Sequence, residues 1–140
     1  MSKIAQYAAY LTLLLAFAMV GYLAFNLLYP YPTMIVESPA KILNPIVHQG
    51  EILQVQINCE KFTDRPGVVT RQIINEIIYV MPSYISNYPV GKNNKVSYST
   101  RIPNELPPGT YYIRTTIEYE FPPFRKIDYI FDTEQFTVVK

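Results

Sequence analysis

After Lys3 no charged residue appears until Glu37, and within this gap Ile4 to Leu28 reads IAQYAAYLTLLLAFAMVGYLAFNLL. As a helix rising about 1.5 Å per residue, that run is long enough to cross a ~30 Å hydrocarbon core. Its Leu, Ile, Phe and Val side chains contribute roughly −0.3 to −0.6 kcal/mol each on an insertion scale, about −3 to −7 kcal/mol together, while Asn26 sits near one end. Tyr7 and Tyr10 lie near one boundary and Tyr29 and Tyr31 at the other, where amphipathic rings favour the headgroup layers, and Pro30 and Pro32 stop the helix. The pattern predicts a transmembrane helix within residues 1–29, a Pro/Tyr linker at 30–32 and a separate domain over 33–140. Ala16-Phe17-Ala18 also offers the small-residue spacing of a cleaved secretory signal. Cleavage there would leave the apolar Met19–Leu28 at a new N-terminus, so an uncleaved anchor is the better reading. Ala5, Ala9, Ala16 and Gly21 offer small surfaces for a neighbouring helix without forming a G-x-x-x-G, and read first as ordinary lipid-facing positions.

Beyond residue 32 the period changes from helical to two. Leu53, Val55, Ile57 and Cys59 alternate with Gln54, Gln56, Asn58 and Glu60, the signature of a half-buried strand within Glu51–Phe62. Tyr111, Ile113, Thr115, Ile117, Tyr119 and Phe121 alternate likewise with Tyr112, Arg114, Thr116, Glu118 and Glu120, which puts one apolar face on a long strand. Further strands are expected at Met34–Val36 with Ile42–Val47, at Gln72–Met81, at Lys95–Ile102 and at Ile127–Val139, with a short one near Tyr84–Tyr88. Pro39, Pro45, Gly50, Pro66-Gly67, Pro82, Pro89, Gly91, Pro103, Pro107-Pro108-Gly109 and Pro122-Pro123 punctuate the region and leave no room for long helices. Six or seven short strands separated by such turns predict an all-β, antiparallel β-sandwich.

Two turn motifs add a resemblance. His48-Gln49-Gly50-Glu51 leads into one strand and Leu106-Pro107-Pro108-Gly109-Thr110-Tyr111 into another. Through these, residues 33–140 resemble the immunoglobulin-like and fibronectin type III sandwiches. The resemblance implies an immunoglobulin-like β-sandwich in which a tyrosine before the sixth strand bonds its hydroxyl back to upstream backbone. Tyr111, in phase with Ile113, is the candidate; fibronectin type III spacing would favour Tyr112. The chain has no Trp and one Cys, so the disulfide and packed indole of antibody domains are absent.

Composition and charge narrow the function classes. Charged residues are 16% of the 140, against about 25% in ordinary soluble domains, and the apolar N-terminus accounts for the deficit. A net charge of +1 supplies no field for a polyanion, and no Gly-rich phosphate loop or basic–aromatic platform occurs, so nucleic acid is not an expected partner. No Asn-x-Ser/Thr glycosylation acceptor is present. His48 stands alone beside Gly50, and Cys59 shares the inward phase of its strand, where a free cysteine behaves as a small hydrophobe, so a nucleophile–base pair is not expected. Asp128, Asp132 and Glu134 match no calcium loop, and one Cys with one His cannot form the copper site of an oxidase subunit II. The expectation is therefore no catalytic residue, no cofactor, no metal and no small-molecule substrate.

Function is expected in surfaces. Phe121-Pro122-Pro123-Phe124-Arg125-Lys126 joins the last two predicted strands and offers two aromatics on a stiff diproline beside positive charge. Packing against a neighbouring loop is the equally weighted alternative. Met81–Pro89, with Tyr84 and Tyr88, suits either an interface or, preferably, an irregular edge covering the core. These features predict a membrane-tethered accessory or structural subunit, of a membrane complex or a virion membrane, whose partners are the bilayer and other protein subunits. The competing reading is a tethered receptor or adhesin-like module. Lys3 before the helix and Glu37 ahead of Lys41 after it favour an inside N-terminus and an exoplasmic domain.

Overall fold

A computed structural model describes residues 2–140; Met1, the first residue of the predicted helical segment, lies outside the described residues. The chain divides into two compact units, one made of Met1–Tyr31 with Pro122–Arg125 and the other of Pro32–Phe121 with Lys126–Lys140.

The first unit is built on α1, Lys3–Leu28. Ser2 caps its start by accepting a hydrogen bond from the Ala5 amide at 3.3 Å, satisfying one of the amides that a first turn leaves open. Tyr29 ends it in an extended conformation, its N–H still bonded to the Phe25 carbonyl, and Pro30 cannot extend the ladder. The helix is long and apolar enough to cross a membrane, and Asn26 is its one buried residue among those described.

The second unit is an all-β sandwich of two sheets. Among the described residues its strands are β1 (Met34–Val36), β2 (Lys41–Ile42), β3 (Ile46–His48), β4 (Ile52–Lys61), β5 (Gly67–Ile74), β6 (Ile78–Val80), β7 (Tyr84–Ser86), β8 (Gly91–Arg101), β9 (Gly109–Phe121), β10 (Arg125–Asp132) and β11 (Phe136–Val139). In the first sheet β4 pairs with β8 along its length and with β1 and β2 on its other edge. In the second, β9 lies between β5 and the β10 and β11 segments; β6 and β7 pair with the far edge of β5, and β3 joins β11 in parallel.

Eleven strands exceed the predicted six or seven because three of the predicted runs each divide into two segments. The predicted strand Gln72–Met81 is a hairpin: Asn75 Oδ1 accepts from the Ile77 amide at 2.9 Å, closing a turn between β5 and β6. The predicted strand Ile127–Val139 breaks after Asp132. There the Thr133 hydroxyl accepts from the Ile113 amide at 3.0 Å and donates to the Glu134 carbonyl at 2.8 Å, taking a place in the ladder that backbone would otherwise fill. The run Ile42–Val47 likewise resolves into β2 and β3 around Pro45.

The inward phases are those of the sequence pattern. Leu53, Val55, Ile57 and Cys59 of β4 meet Tyr111, Ile113, Ile117 and Tyr119 of β9 in one core with Ile73, Ile102, Leu106, Phe136 and Val138. Tyr111 is the inward residue of its pair; its hydroxyl donates to the Pro107 carbonyl at 2.6 Å, and Tyr112 faces outward. Two glycines are required locally. Gly50 turns His48 into Glu51 with a φ of 81°, and a Cβ on Gly67 would lie 2.4 Å from Ile117 Cγ2.

Candidate functional site

The six-residue stretch read as one surface separates into parts. Phe121 completes the inward phase of β9, is buried at 7% exposure, and lies with its ring 5.6 Å from the Arg65 guanidinium carbon. Pro122 and Pro123 form the turn to β10, and Phe124 on that turn is 55% exposed. Arg125 does something the sequence did not suggest. Within the first unit its Nη1 donates to the Asn26 carbonyl at 3.2 Å and to the Tyr29 carbonyl, and its guanidinium carbon lies 5.7 Å from the Tyr31 ring centroid. A cation thereby satisfies carbonyls that the last turn of α1 leaves without intrahelical partners, where the helix dipole is negative.

Asn26 completes this cluster. Its Nδ2 donates to the Tyr22 carbonyl at 2.9 Å, and its Oδ1 accepts from the Tyr31 hydroxyl at 3.2 Å. Tyr29 lies between Phe25 and Tyr31, tilted against the first and edge-on to the second, with ring centroids 5.0 and 4.8 Å away. An amide that reads in the sequence as a minor polar flaw near a helix end is thus a junction with both its donor and its acceptor engaged.

Tyr84 and Tyr88 belong to a second arrangement, inside the sandwich unit. Arg71 points inward on β5, opposite Thr115 of β9, and its guanidinium carbon lies 3.7 Å from the Tyr98 ring centroid and 5.0 Å from that of Tyr84. Arg71 Nε, Tyr98 Oη and Thr115 Oγ1 are buried beside one another without a hydrogen bond of ordinary geometry, although each is near enough to act electrostatically on its neighbours. Burial raises the Tyr98 phenol above its usual value, and Arg71 opposes that rise. Lys61, 1% exposed at the inner end of β4, donates to Asn87 Oδ1 at 2.9 Å and to the Tyr88 carbonyl at 3.1 Å, with its ammonium 5.8 Å from the Tyr119 ring centroid. The Tyr84–Tyr88 segment therefore covers two inward cations, which aromatic faces and carbonyl oxygens stabilise, with the Asp64 carboxylate also favouring the charge on Lys61. Both were visible as phase: Lys61 continues the Leu53–Cys59 alternation, and Arg71 falls between Val69 and Ile73.

Burial pushes the Cys59 thiol up, only partly offset by Lys61, which holds the sulfur as a thiol rather than a nucleophilic thiolate. His48 is exposed, its Nδ1 3.1 Å from the Lys140 carbonyl.

The buried phenols make stability depend on alkaline pH. Burial, and secondarily Cys59, pushes Tyr119 up to about 12. An unfolded chain ionises tyrosine near 10, so protons leave the unfolded state first and the folded state loses stability between about pH 10 and 12. Tyr119 alone accounts for about 1.4 kcal/mol by pH 11. Tyr88 and Tyr98, also raised, act in the same sense. Lys61 acts oppositely: burial lowers its ammonium, so its cost is present at low pH and is relieved as pH climbs towards about 10.4. Cys59, also raised by burial, begins to cost stability where an unfolded thiol ionises, at about pH 8.5, and Lys61 offsets part of that loss. Urea-unfolding midpoints should therefore change little below about pH 8.5 and fall most steeply above about pH 10, and Tyr119→Phe should fall less in that upper range. A profile as steep in that variant as in the parent would place the effect elsewhere.

No family model matches the chain, and no curated protein matches it in sequence. Among solved structures it is similar to an alkylpurine DNA glycosylase of Pseudomonas fluorescens bound to DNA containing an abasic site analogue, with 10% identity over 74% of this chain and 31% of that one, at a TM-score of 0.40. It is similar also to a β-glucosidase of Listeria innocua in complex with glucose, with 11% identity over 77% and 16% of the two chains, at 0.39. A CARDB domain of a Pyrococcus furiosus protein in complex with di-metal ions is 14% identical over 79% of this chain and 91% of that one, also at 0.39. The chain thus spans less than a third of the glycosylase and of the glucosidase, and likenesses at this level speak to neither activity nor ligand.

Proposed function

We propose that the protein is a single-pass, membrane-anchored structural or accessory subunit, in a membrane complex or a virion membrane. In this reading the immunoglobulin-like sandwich stands on the exoplasmic side, with the N-terminus inside. The observation that carries the reading is the surface of α1: Leu11, Leu13, Leu14, Leu15, Phe17, Met19 and Val20 are all more than half exposed. A helix apolar around its whole circumference needs lipid or other helices around it. The corner made by Tyr111 and the Pro107 carbonyl supports the immunoglobulin-like assignment.

A role in protein contacts rests on the outer face of the second sheet. Val68 pairs with Ile85, and Ile74 with Ile78, next to Val80; all but Ile74 are well exposed, forming two apolar patches on the β5, β6 and β7 edge with Thr70 and Gln72 between them. Extraction in mild detergent followed by native sizing and mass spectrometry should find the chain co-migrating with stoichiometric partners. Ile78→Lys with Ile85→Lys, at exposed positions that leave the core intact, should release them. A wild-type chain that runs alone, as a tethered receptor module would, overturns the accessory reading.

A further inference from the structure

We propose that Phe124, on the turn Pro122–Arg125, is a second membrane contact that inserts its ring into the interfacial layer of the bilayer that α1 crosses; this rests on the anchoring reading above. A helix of 26 residues is about 39 Å long, several ångströms more than a ~30 Å hydrocarbon core, so its terminal turns enter the headgroup regions. Tyr29 and Tyr31 stand at the C-terminal end, where aromatic belts form. Arg125 is bonded to the Asn26 and Tyr29 carbonyls, which fixes its depth to that same turn. Phe124 is its chain neighbour, with Cα atoms about 3.8 Å apart, so its ring lies within a side chain's reach of that turn.

The local chemistry suits a lipid rather than water. Phe124 is large, apolar and 55% exposed. The two residues before it are prolines, so that part of the turn brings no backbone N–H that would lose its water on entering the interface. The guanidinium beside it is already engaged by two carbonyls and an aromatic face, so the contact requires no anionic headgroup. Zwitterionic phosphatidylcholine is sufficient.

The chain contains no tryptophan, so Phe124→Trp gives full-length protein one fluorescent indole, and Leu15→Trp gives a separate reporter at the middle of α1. Both variants are reconstituted into phosphatidylcholine vesicles brominated either near the headgroup end or near the methyl end of the acyl chains. The Leu15→Trp emission should be quenched most by the deep bromines. For Phe124→Trp we expect a blue-shifted emission, strongest quenching by the shallow bromines, and several-fold protection from acrylamide. If Leu15→Trp is quenched from the deep position while Phe124→Trp is untouched by either lipid, whether its emission is water-like or blue-shifted against protein, the interfacial contact is overturned and the anchor stands. If neither responds, the anchoring reading itself fails and the inference falls with it.

Discussion

Substituting Leu14 and Leu15 together with arginine is expected to move the full-length protein from the membrane fraction to the aqueous one. Both lie near the midpoint of Lys3–Leu28 and are 66% and 61% exposed, so most of each side chain faces the surroundings of the helix. An arginine at the centre of a spanning helix costs roughly 2.5–3.5 kcal/mol on an insertion scale, and two cost about 5–7 kcal/mol. With both leucines' own contribution gone, the remaining apolar side chains supply roughly −3 to −5 kcal/mol, which the arginines about match or exceed. Arginines this far from either end cannot reach the headgroups by extending their side chains as terminal ones do. Alkaline carbonate extraction with flotation distinguishes the outcomes, and the paired Leu→Phe variant, which keeps the apolar surface, should remain with the lipid. Retention of the double arginine variant in the lipid layer would mean that contacts outside α1 hold the chain there.

The helix is also the element the sequence states most plainly, because an uncharged apolar run of this length is legible without knowing any partner. The gap between Lys3 and Glu37 brackets Lys3–Leu28, and the stop at Tyr29–Pro30 is local chemistry. Strand phase was legible for the same kind of reason: a period of two along Leu53–Cys59 or Tyr111–Phe121 reports which side is dry, whatever the partner strand. What the pattern did not carry was interruption. Ile127–Val139 reads as one run because the feature that divides it is a hydroxyl, Thr133 Oγ1, bonded to an amide twenty residues away. Asn75-Glu76, between two apolar runs, was a readable turn signal inside Gln72–Met81, since Asn closes such turns with its own side chain.

The candidate surface shows the same division. The alternation that put Ile113 and Ile117 inside already placed Phe121 inside too, and a reading faithful to phase would have left Phe124 as the exposed ring of the pair. The capping by Arg125 lay beyond sequence reasoning, because it joins residues separated by 99 and 96 positions through carbonyls that every sequence possesses. The inward cations lie between these cases. The phase of Lys61 and Arg71 is legible in the sequence, but their partners, the rings of Tyr98 and Tyr84 and the Tyr88 carbonyl, depend on how two sheets and an edge segment are brought together.

Phe136→Ala is expected to cost the sandwich about 3–5 kcal/mol, the range for deleting a buried aromatic ring. Phe136 is 1% exposed and pairs directly with Tyr111 across β11 and β9, their ring centroids 6.2 Å apart. Leu106 and Ile102, both buried to within 1%, belong to the loop at that end of the sandwich, and the Tyr111 hydroxyl ties the loop to β9 through Pro107. Removing the Phe136 ring leaves Tyr111 without a packing partner on one side, while the hydrogen bond prevents its ring from swinging over to fill the space. Tyr111→Phe isolates the other half of the device: it keeps the packing, leaves the Pro107 carbonyl without its partner, and should cost about 1–3 kcal/mol. Urea unfolding of the full-length chain in detergent, followed by the near-ultraviolet signal of its tyrosines, gives both values. Equal losses would mean that the hydroxyl matters as much as the ring. A loss below about 1 kcal/mol for Phe136→Ala would mean that this end of the core can collapse around the missing side chain, contrary to the packing described.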